Sequence, residues 1–245
     1  MDEIDKSLMA HGKFGVGQPV PRKEDPRLVR GRGCYTDDLA LPGQLHAFVL
    51  RSSVAAGTIR SIDADAARAA DGVVAVYTVF DMIEAGYGGQ ACKLPLTNRD
   101  GSKMHAEPRP AFATTEIRHI GEPMAVVVAE TLAQARDAAD LVEVDIATKP
   151  TVTDPRAALE PGAPQVSPAY PNNLCLDYAF GDAAAVAKAF AEAAHVTTLD
   201  LVNNRLAVVA MEPRAAVAEY DAARDHFTLH VGSQGVFNLK NTLAN

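Results

Sequence analysis

The residues of this 245-residue chain whose types and spacing could do chemistry gather near its end, in Gly232-Ser233-Gln234-Gly235. A glutamine amide offers an N–H to an oxygen without adding charge. Glycines on either side permit backbone geometry that a Cβ resists, and they let a ligand come close. Just upstream, His226 and His230 share a strand face with Thr228 between them. A metal centre wants a third or fourth ligand converging on such a pair. No sequence neighbour supplies one, so the pair reads as a solvated strand face. Cys34, Cys92 and Cys175 are widely spaced and form no CxxC. Common iron–sulfur clusters need several thiolates, so the three read as reduced structural thiols with no disulfide framework. Glu122, in the turn Gly121-Glu122-Pro123, is a carboxylate ahead of a buried strand and reads as structural rather than as a catalytic acid. There is no G-x-S-x-G elbow and no Walker loop. Gly12, Gly15 and Gly17 lack the preceding strand that a dinucleotide fingerprint needs.

Around the glutamine segment, 203–235, the pattern predicts two strands. They are 215–220 and 227–231, flanking a polar turn over 221–225. Phe227, Leu229 and Val231 alternate with Thr228 and His230, the period of a strand with one buried face. Earlier in the chain, 45–50 and the β-branched run 73–78 read as strands. Residues 64–70 read as an alanine-rich helix with Asp63 as N-cap and Asp71-Gly72 as its stop. Arg27, Arg30 and Arg32 precede Tyr35-Thr36-Asp37-Asp38 and read as a solvated loop. The continuous apolar run 124–129 predicts a strand buried on both faces. Thr131 and Gln134 are spaced as a capping box for a helix over 132–140, and 141–146 reads as the next strand. Together they suggest a β-α-β unit with short connections. Residues 81–110 read as a long irregular excursion, reaching a partner surface or another domain. Pro150, Pro155, Pro161, Pro164, Pro168 and Pro171 mark 149–173 as an extended linker. A helix over 183–194 with Asp182 as N-cap and a strand over 195–202 follow. The division expected is a tail over 1–20, a first domain over 21–148, the linker over 149–173 and a second domain over 174–245.

Composition bounds the class. Hydrophobic residues make up 48% and charged residues 22%, as in ordinary globular proteins. The net charge of −8 argues against a nucleic-acid partner. The N-terminus is acidic where a secretory signal is basic. No apolar stretch approaches the roughly 20 residues of a membrane span. The chain is read as cytoplasmic.

The wording Met211-Glu212-Pro213-Arg214, followed by a strand ending in Gly-Ser-Gln-Gly, resembles the start of the molybdenum-binding region of the xanthine dehydrogenase/aldehyde oxidase family. Its bacterial carbon monoxide dehydrogenase large-chain type is the branch resembled. The run from His119 to Ile146, with its Gly-Glu-Pro turn, resembles that family's α/β hammerhead domain. So does the opening 18–52, although 52–57 lacks the histidines of the family's turn there. The resemblance implies an α+β fold: a hammerhead domain, then the beginning of a molybdenum-cofactor domain. It places Gln234 beside the oxo/sulfido ligands of molybdenum, with Gly235 next to it, as the cofactor-binding residues. Glu212, Pro213 and Arg214 would shape the strand beneath.

In the family, the glycine-rich pterin segment, the substrate loop and the general-base glutamate lie beyond the position matching Asn245. The chain stops inside the helix that follows the glutamine, which reads as a truncation. The function implied is therefore part of a molybdenum hydroxylase, acting on an aldehyde, N-heterocycle or similar small substrate with water-derived oxygen. No catalytic or metal-ligating residue is expected in this stretch, and no cofactor in the isolated chain. Partners implied are the remainder of the molybdopterin subunit, a flavin-binding (FAD) medium subunit and a [2Fe–2S] small subunit. An alternative is a non-catalytic hammerhead module that docks those subunits; an unrelated two-domain α/β binding protein ranks after it.

Overall fold

Alternating apolar residues need a neighbouring strand on each side before they can close a core, and the elements follow that demand. In chain order they are α1 (Asp25–Leu28), β1 (His46–Arg51), β2 (Gly57–Asp63), α2 (Asp65–Arg68), β3 (Val73–Thr78) and α3 (Val79–Glu84). Next come β4 (Gly89–Gln90), β5 (Arg109–Pro110), β6 (Glu116–Ile117), β7 (Pro123–Ala129), α4 (Leu132–Ala139) and β8 (Glu143–Thr148). The last are α5 (Ala183–Glu192), β9 (Ala216–Asp221), β10 (His226–Val231) and α6 (Val236–Ala244). The structure, a computed structural model, describes residues 21–94 and 96–244. The expected N-terminal tail over 1–20, with Gly12, Gly15 and Gly17, lies outside the described residues. Two compact units emerge, one of 41–204 with 235–244, the other of 21–40 with 205–234.

In the larger unit β7 lies between β1 and β3, antiparallel to both, with Val127 opposite Phe48 and Val76. No residue of β7 is exposed, as the apolar run 124–129 predicts. A second antiparallel sheet has the order β6-β2-β8. Helix α4 buries Ala135, Ala138 and Ala139 against Val76, Val127 and Ala129. Three methyl-sized side chains let the helix approach the sheet closely, and interior packing leaves few voids around them. A second cluster, Ile59, Ile117 and Met124 with Val79 and Ala113, joins residues from both sheets. Gly57 is required here. A Cβ on it would stand 2.6 Å from Ile146 Cγ2 and 2.9 Å from the Ala147 carbonyl. Every buried apolar residue among those described falls between Ile59 and Val142.

Several expectations need correction. Residues 57–63 form strand β2, where only a helix lead-in was expected; its central Arg60 and Ser61 are exposed and hide the apolar alternation. The helix after it is short, Asp65–Arg68, with Ala64 rather than Asp63 at the N-cap. Asp63 still contributes, accepting from the Asp65 N–H. Helix α3 occupies 79–84, running into the start of the stretch expected to be irregular, 81–110. Thr78 N–H donates to Asp81 Oδ2, and Asp81 N–H donates to the Thr78 hydroxyl, a capping box written with aspartate. At α4 Thr131 caps through its hydroxyl, but the Gln134 side chain bonds that hydroxyl and not the backbone. The strand β8 starts two residues later than expected. It also pairs in a different sheet from β7, so β7-α4-β8 connects two sheets instead of forming one β-α-β unit.

The proline-rich stretch does not run extended. It turns at Ala157–Leu159 and Pro171–Asn173. Asn173 ties it together, donating to the Ala158 and Pro164 carbonyls and accepting from Val166 N–H. Helix α5 stands as expected, capped by Asp182. The strand expected over 195–202 is absent: the residues are exposed and no described strand pairs with their backbone. An apolar alternation makes a strand only when a neighbour accepts its hydrogen bonds.

Glu116 spans the second sheet and yields a pH prediction. Its carboxylate accepts from Lys149 Nζ, after β8, and from the Thr58 hydroxyl on β2. The Lys149 bond holds Glu116 below its ordinary range, with Thr58 adding to this and burial opposing it. A lowered folded value stabilises above the unfolded glutamate value, about pH 4.3, and that stability is lost as pH falls through the folded value. Solvent exposure limits the gain to roughly 0.2–1 kcal/mol. Urea unfolding should therefore find Glu116→Gln less stable than wild type at pH 7, with the gap closing by pH 3; a gap independent of pH would refute the ion pair. Val127→Ala, at a site with no solvent exposure, should cost about 2 kcal/mol in the same assay.

Candidate functional site

The chain reaches Gln234 through a hairpin whose geometry its turn dictates. Asp221 Oδ1 accepts from the Ala223 and Arg224 N–H groups, and Asp225 takes φ 48°. Aspartate suits both positions, because its short side chain mimics a turn and tolerates the left-handed region. The register then pairs Tyr220 with Phe227 and Glu219 with Thr228. On one face the Tyr220 and Phe227 rings lie 4.5 Å apart. The Tyr220 hydroxyl donates to Asp225 Oδ1 at 2.8 Å, a bond that pushes its phenol pKa up. The other face carries Glu219, Asp221, His226, Thr228 and His230. There His230 Nε2 and Glu219 Oε1 stand 2.7 Å apart. The sequence reading missed that pair. The turn spacing was the available signal, since it sets Glu219 diagonal to His230 across the strands.

Past Val231 the chain leaves the ladder. Gln234 is exposed, and its side-chain amide bonds to none of the described residues. Glu212 reaches back to this turn: a Cβ on Gly232 would stand 3.4 Å from Glu212 Oε1. Pro213 and Arg214 are exposed just before β9. Gly235 opens α6, its carbonyl accepting from the Leu239 N–H. One expectation fails. Neither Gly232 nor Gly235 has the left-handed φ that demands glycine. A Cβ on Gly235 would meet only Asn238 side-chain atoms, the nearest at 3.5 Å. Within the described residues both positions have room for a methyl group, so local backbone strain is not what calls for glycine.

The other candidates separate from Gln234. Cys34, Cys92 and Cys175 are free, in keeping with reduced thiols, but all three are exposed, so none packs into the interior as a structural residue would. Glu122 Oε2 accepts from the Arg118 N–H and closes the turn ahead of β7, as its structural reading requires. Arg27, Arg30 and Arg32 are exposed, Arg27 within α1. An open recess of about 420 Å³ lies on the hairpin, lined by Glu219, Tyr220, Asp221, Arg224, His226 and Thr228, with Gln234 outside it. Among the described residues no group of three or more His, Cys, Asp or Glu side chains is placed to hold a metal ion. No described helix is long and apolar enough to cross a membrane. The side-chain chemistry at 232–235 is thus neutral, the Gln234 amide and the Ser233 hydroxyl, beside backbone. That suits oxygen or sulfur atoms of a preassembled cofactor and does not suit a bare metal ion.

Comparison with known proteins assigns the two halves. Residues 30–150 match the family described as aldehyde oxidase and xanthine dehydrogenase, a/b hammerhead domain. Residues 166–245 match the molybdopterin cofactor-binding domain. The nicotine 6-hydroxylase large subunit of Paenarthrobacter nicotinovorans is 36% identical over 89% of the chain and 26% of that protein. The carbon monoxide dehydrogenase large chain of Hydrogenophaga pseudoflava is 30% identical over 86% of the chain and 26% of its own length. The crystal structure of quinoline 2-oxidoreductase from Pseudomonas putida 86 superposes with a TM-score of 0.80 at 32% identity, covering 95% of this chain and 28% of that one. The chain thus spans about a quarter of the length of the relatives it matches. It belongs to the xanthine dehydrogenase/aldehyde oxidase family of molybdenum hydroxylase large subunits, as an α/β hammerhead domain followed by part of the molybdopterin cofactor-binding domain.

Proposed function

We propose that this chain works as the amino-terminal part of a molybdenum hydroxylase large subunit, which oxidises an aldehyde, N-heterocycle or similar small substrate using oxygen from water. The carrying observation is the exposed, unengaged Gln234 amide in the Gly-Ser-Gln-Gly turn, within a chain that matches the two family domains in order. The hammerhead occupies 21–148 and the cofactor domain begins at 174, with 149–173 between them; the interval between the two family matches, 150 to 166, supports that division. General-base chemistry and pterin binding belong to the rest of the subunit. Flavin-binding and [2Fe–2S] subunits complete electron transfer.

The molybdenum–molybdopterin cofactor, when bound, supplies the redox centre that takes two electrons from the substrate carbon. This chain's own contribution is positional. Gln234 would donate its amide N–H to a cofactor oxygen or sulfur, a neutral contact that would orient the group without neutralising charge. Gly235 keeps the chain small beside it, and Glu212, Pro213 and Arg214 shape the approach to β9. A second reading is a hammerhead module that only docks the partner subunits. The restriction of the buried apolar core to 59–142 favours it, since that core closes without the later residues.

Two measurements separate these readings. In the assembled complex Gln234→Ala should lower kcat about tenfold to a thousandfold, the usual worth of one preorganised donor. Molybdenum content and melting temperature should hold, because the exposed side chain fills no core. Unchanged kcat at full metal occupancy would remove Gln234 from the site. The purified 245-residue chain alone should lack flavin and iron–sulfur absorption and turn over neither aldehyde nor purine; turnover by it would overturn the proposal.

A further inference from the structure

The excursion between α3 and β6 finds its partner inside the same unit. Its tip is a tight turn: Asn98 N–H donates to the Ser102 carbonyl, Gly101 takes φ 87°, and Thr97 bridges Lys103. Arg99 N–H then donates to the Asp177 carbonyl, and Asp177 N–H donates to Asn98 Oδ1. The Arg99 guanidinium forks onto both Asp177 oxygens at 2.9 and 2.8 Å. His105 N–H donates to the Cys175 carbonyl at 3.0 Å. A second anchor lies at Glu107. Its Oε2 accepts from the fully buried Ser167 hydroxyl at 3.2 Å and from Arg118 Nη1 at 3.1 Å. Its N–H donates to the Tyr170 hydroxyl. Arg118 has no other ion-pair partner among the described residues, and its Nε is buried without an acceptor.

We infer that residues 96–107 are a clasp that fastens the proline-rich strap, 158–178, to the hammerhead, with Glu107 as its inner bolt and Arg99 as its outer one. The strap is prefolded by Asn173, so it can be held or released as one piece. Its two ends of attachment differ in kind. Arg99 and Asp177 are exposed enough for salt to screen them. Glu107 is half-buried, and removing its charge leaves the Arg118 guanidinium unpaired in a half-buried place, where that costs most. The clasp thereby sets where the chain leaves the hammerhead on its way to α5. This inference stands on contacts within one unit and does not depend on the cofactor reading.

Hydrogen exchange on the whole 245-residue chain tests it. With Arg99→Ala, the Asp177 N–H should exchange at least about tenfold faster, while the amides of β7 keep their rates. With Glu107→Gln, which keeps the shape and an acceptor for Ser167, exchange should quicken for Tyr170, Asn173 and Leu174. With both changes the whole strap should open while β7 stays protected. Unchanged strap rates in the double variant would overturn the clasp. So would parallel loss of protection in β7, or failure of the double variant to fold, because either would make these contacts part of the global core.

Discussion

The larger unit depends on one strand being surrounded. β7 is paired on both edges, covered by the alanine face of α4, and tied through Met124 to the second sheet. A strand in that position can carry no polar side chain without leaving it unsatisfied. Hence the unbroken Met124-Ala-Val-Val-Val-Ala129. The small residues matter as much as the apolar ones. Ala125, Val127 and Ala129 have no exposed area, and bulk added there would have to displace either the helix or a neighbouring strand. The surrounding elements are arranged by the same need. Glu122 closes the turn that feeds β7, and Thr131 starts the helix that returns over it.

Legibility in the sequence followed how local each determinant is. β7, β3, α4, α5 and the β9–β10 hairpin were readable because periodicity, caps and turn residues lie within a few positions of one another. Thr131, Asp182 and Asp221 each accept from backbone N–H groups two or three residues away, and Asp225 accepts from the Tyr220 hydroxyl five residues back. β2 was hidden because it gives Arg60 and Ser61 to solvent, and its apolar face shows only against β8 and Met124. α3 was hidden because it is short, with aspartate standing in the capping box. The fold of 149–173 was hidden because Asn173 reaches back 9 and 15 residues to its partners. Prolines announce restricted backbone, but they do not say which carbonyls the turns between them will offer.

The strand expected over 195–202 failed for a different reason. Val196, Leu199, Leu201 and Val202 are apolar and well exposed. Their side chains meet the requirement for a half-buried strand, but the backbone has no partner among the described residues. Propensity on a pleated surface expresses packing against neighbours more than any preference of the single chain. The same sequence is therefore a strand or an exposed extended segment according to what lies beside it.

That distinction bears on the candidate site. The hairpin that delivers Gln234 holds itself together locally, through the Asp221 turn, the Tyr220–Phe227 stack and the Glu219–His230 pair. Gln234 lies three residues past Val231, the last paired residue of that hairpin, and nothing described engages its amide. The glycines around it have no conformational need to be glycine, since both avoid the left-handed region. Where a small residue is required without backbone strain, close approach by another group is one physical reason for it. At Gly57 the group that comes close is visible, the Ile146 side chain and the Ala147 carbonyl. At Gly232 and Gly235 no described atom crowds the position in that way. Among the described residues neither position carries a structural demand for glycine.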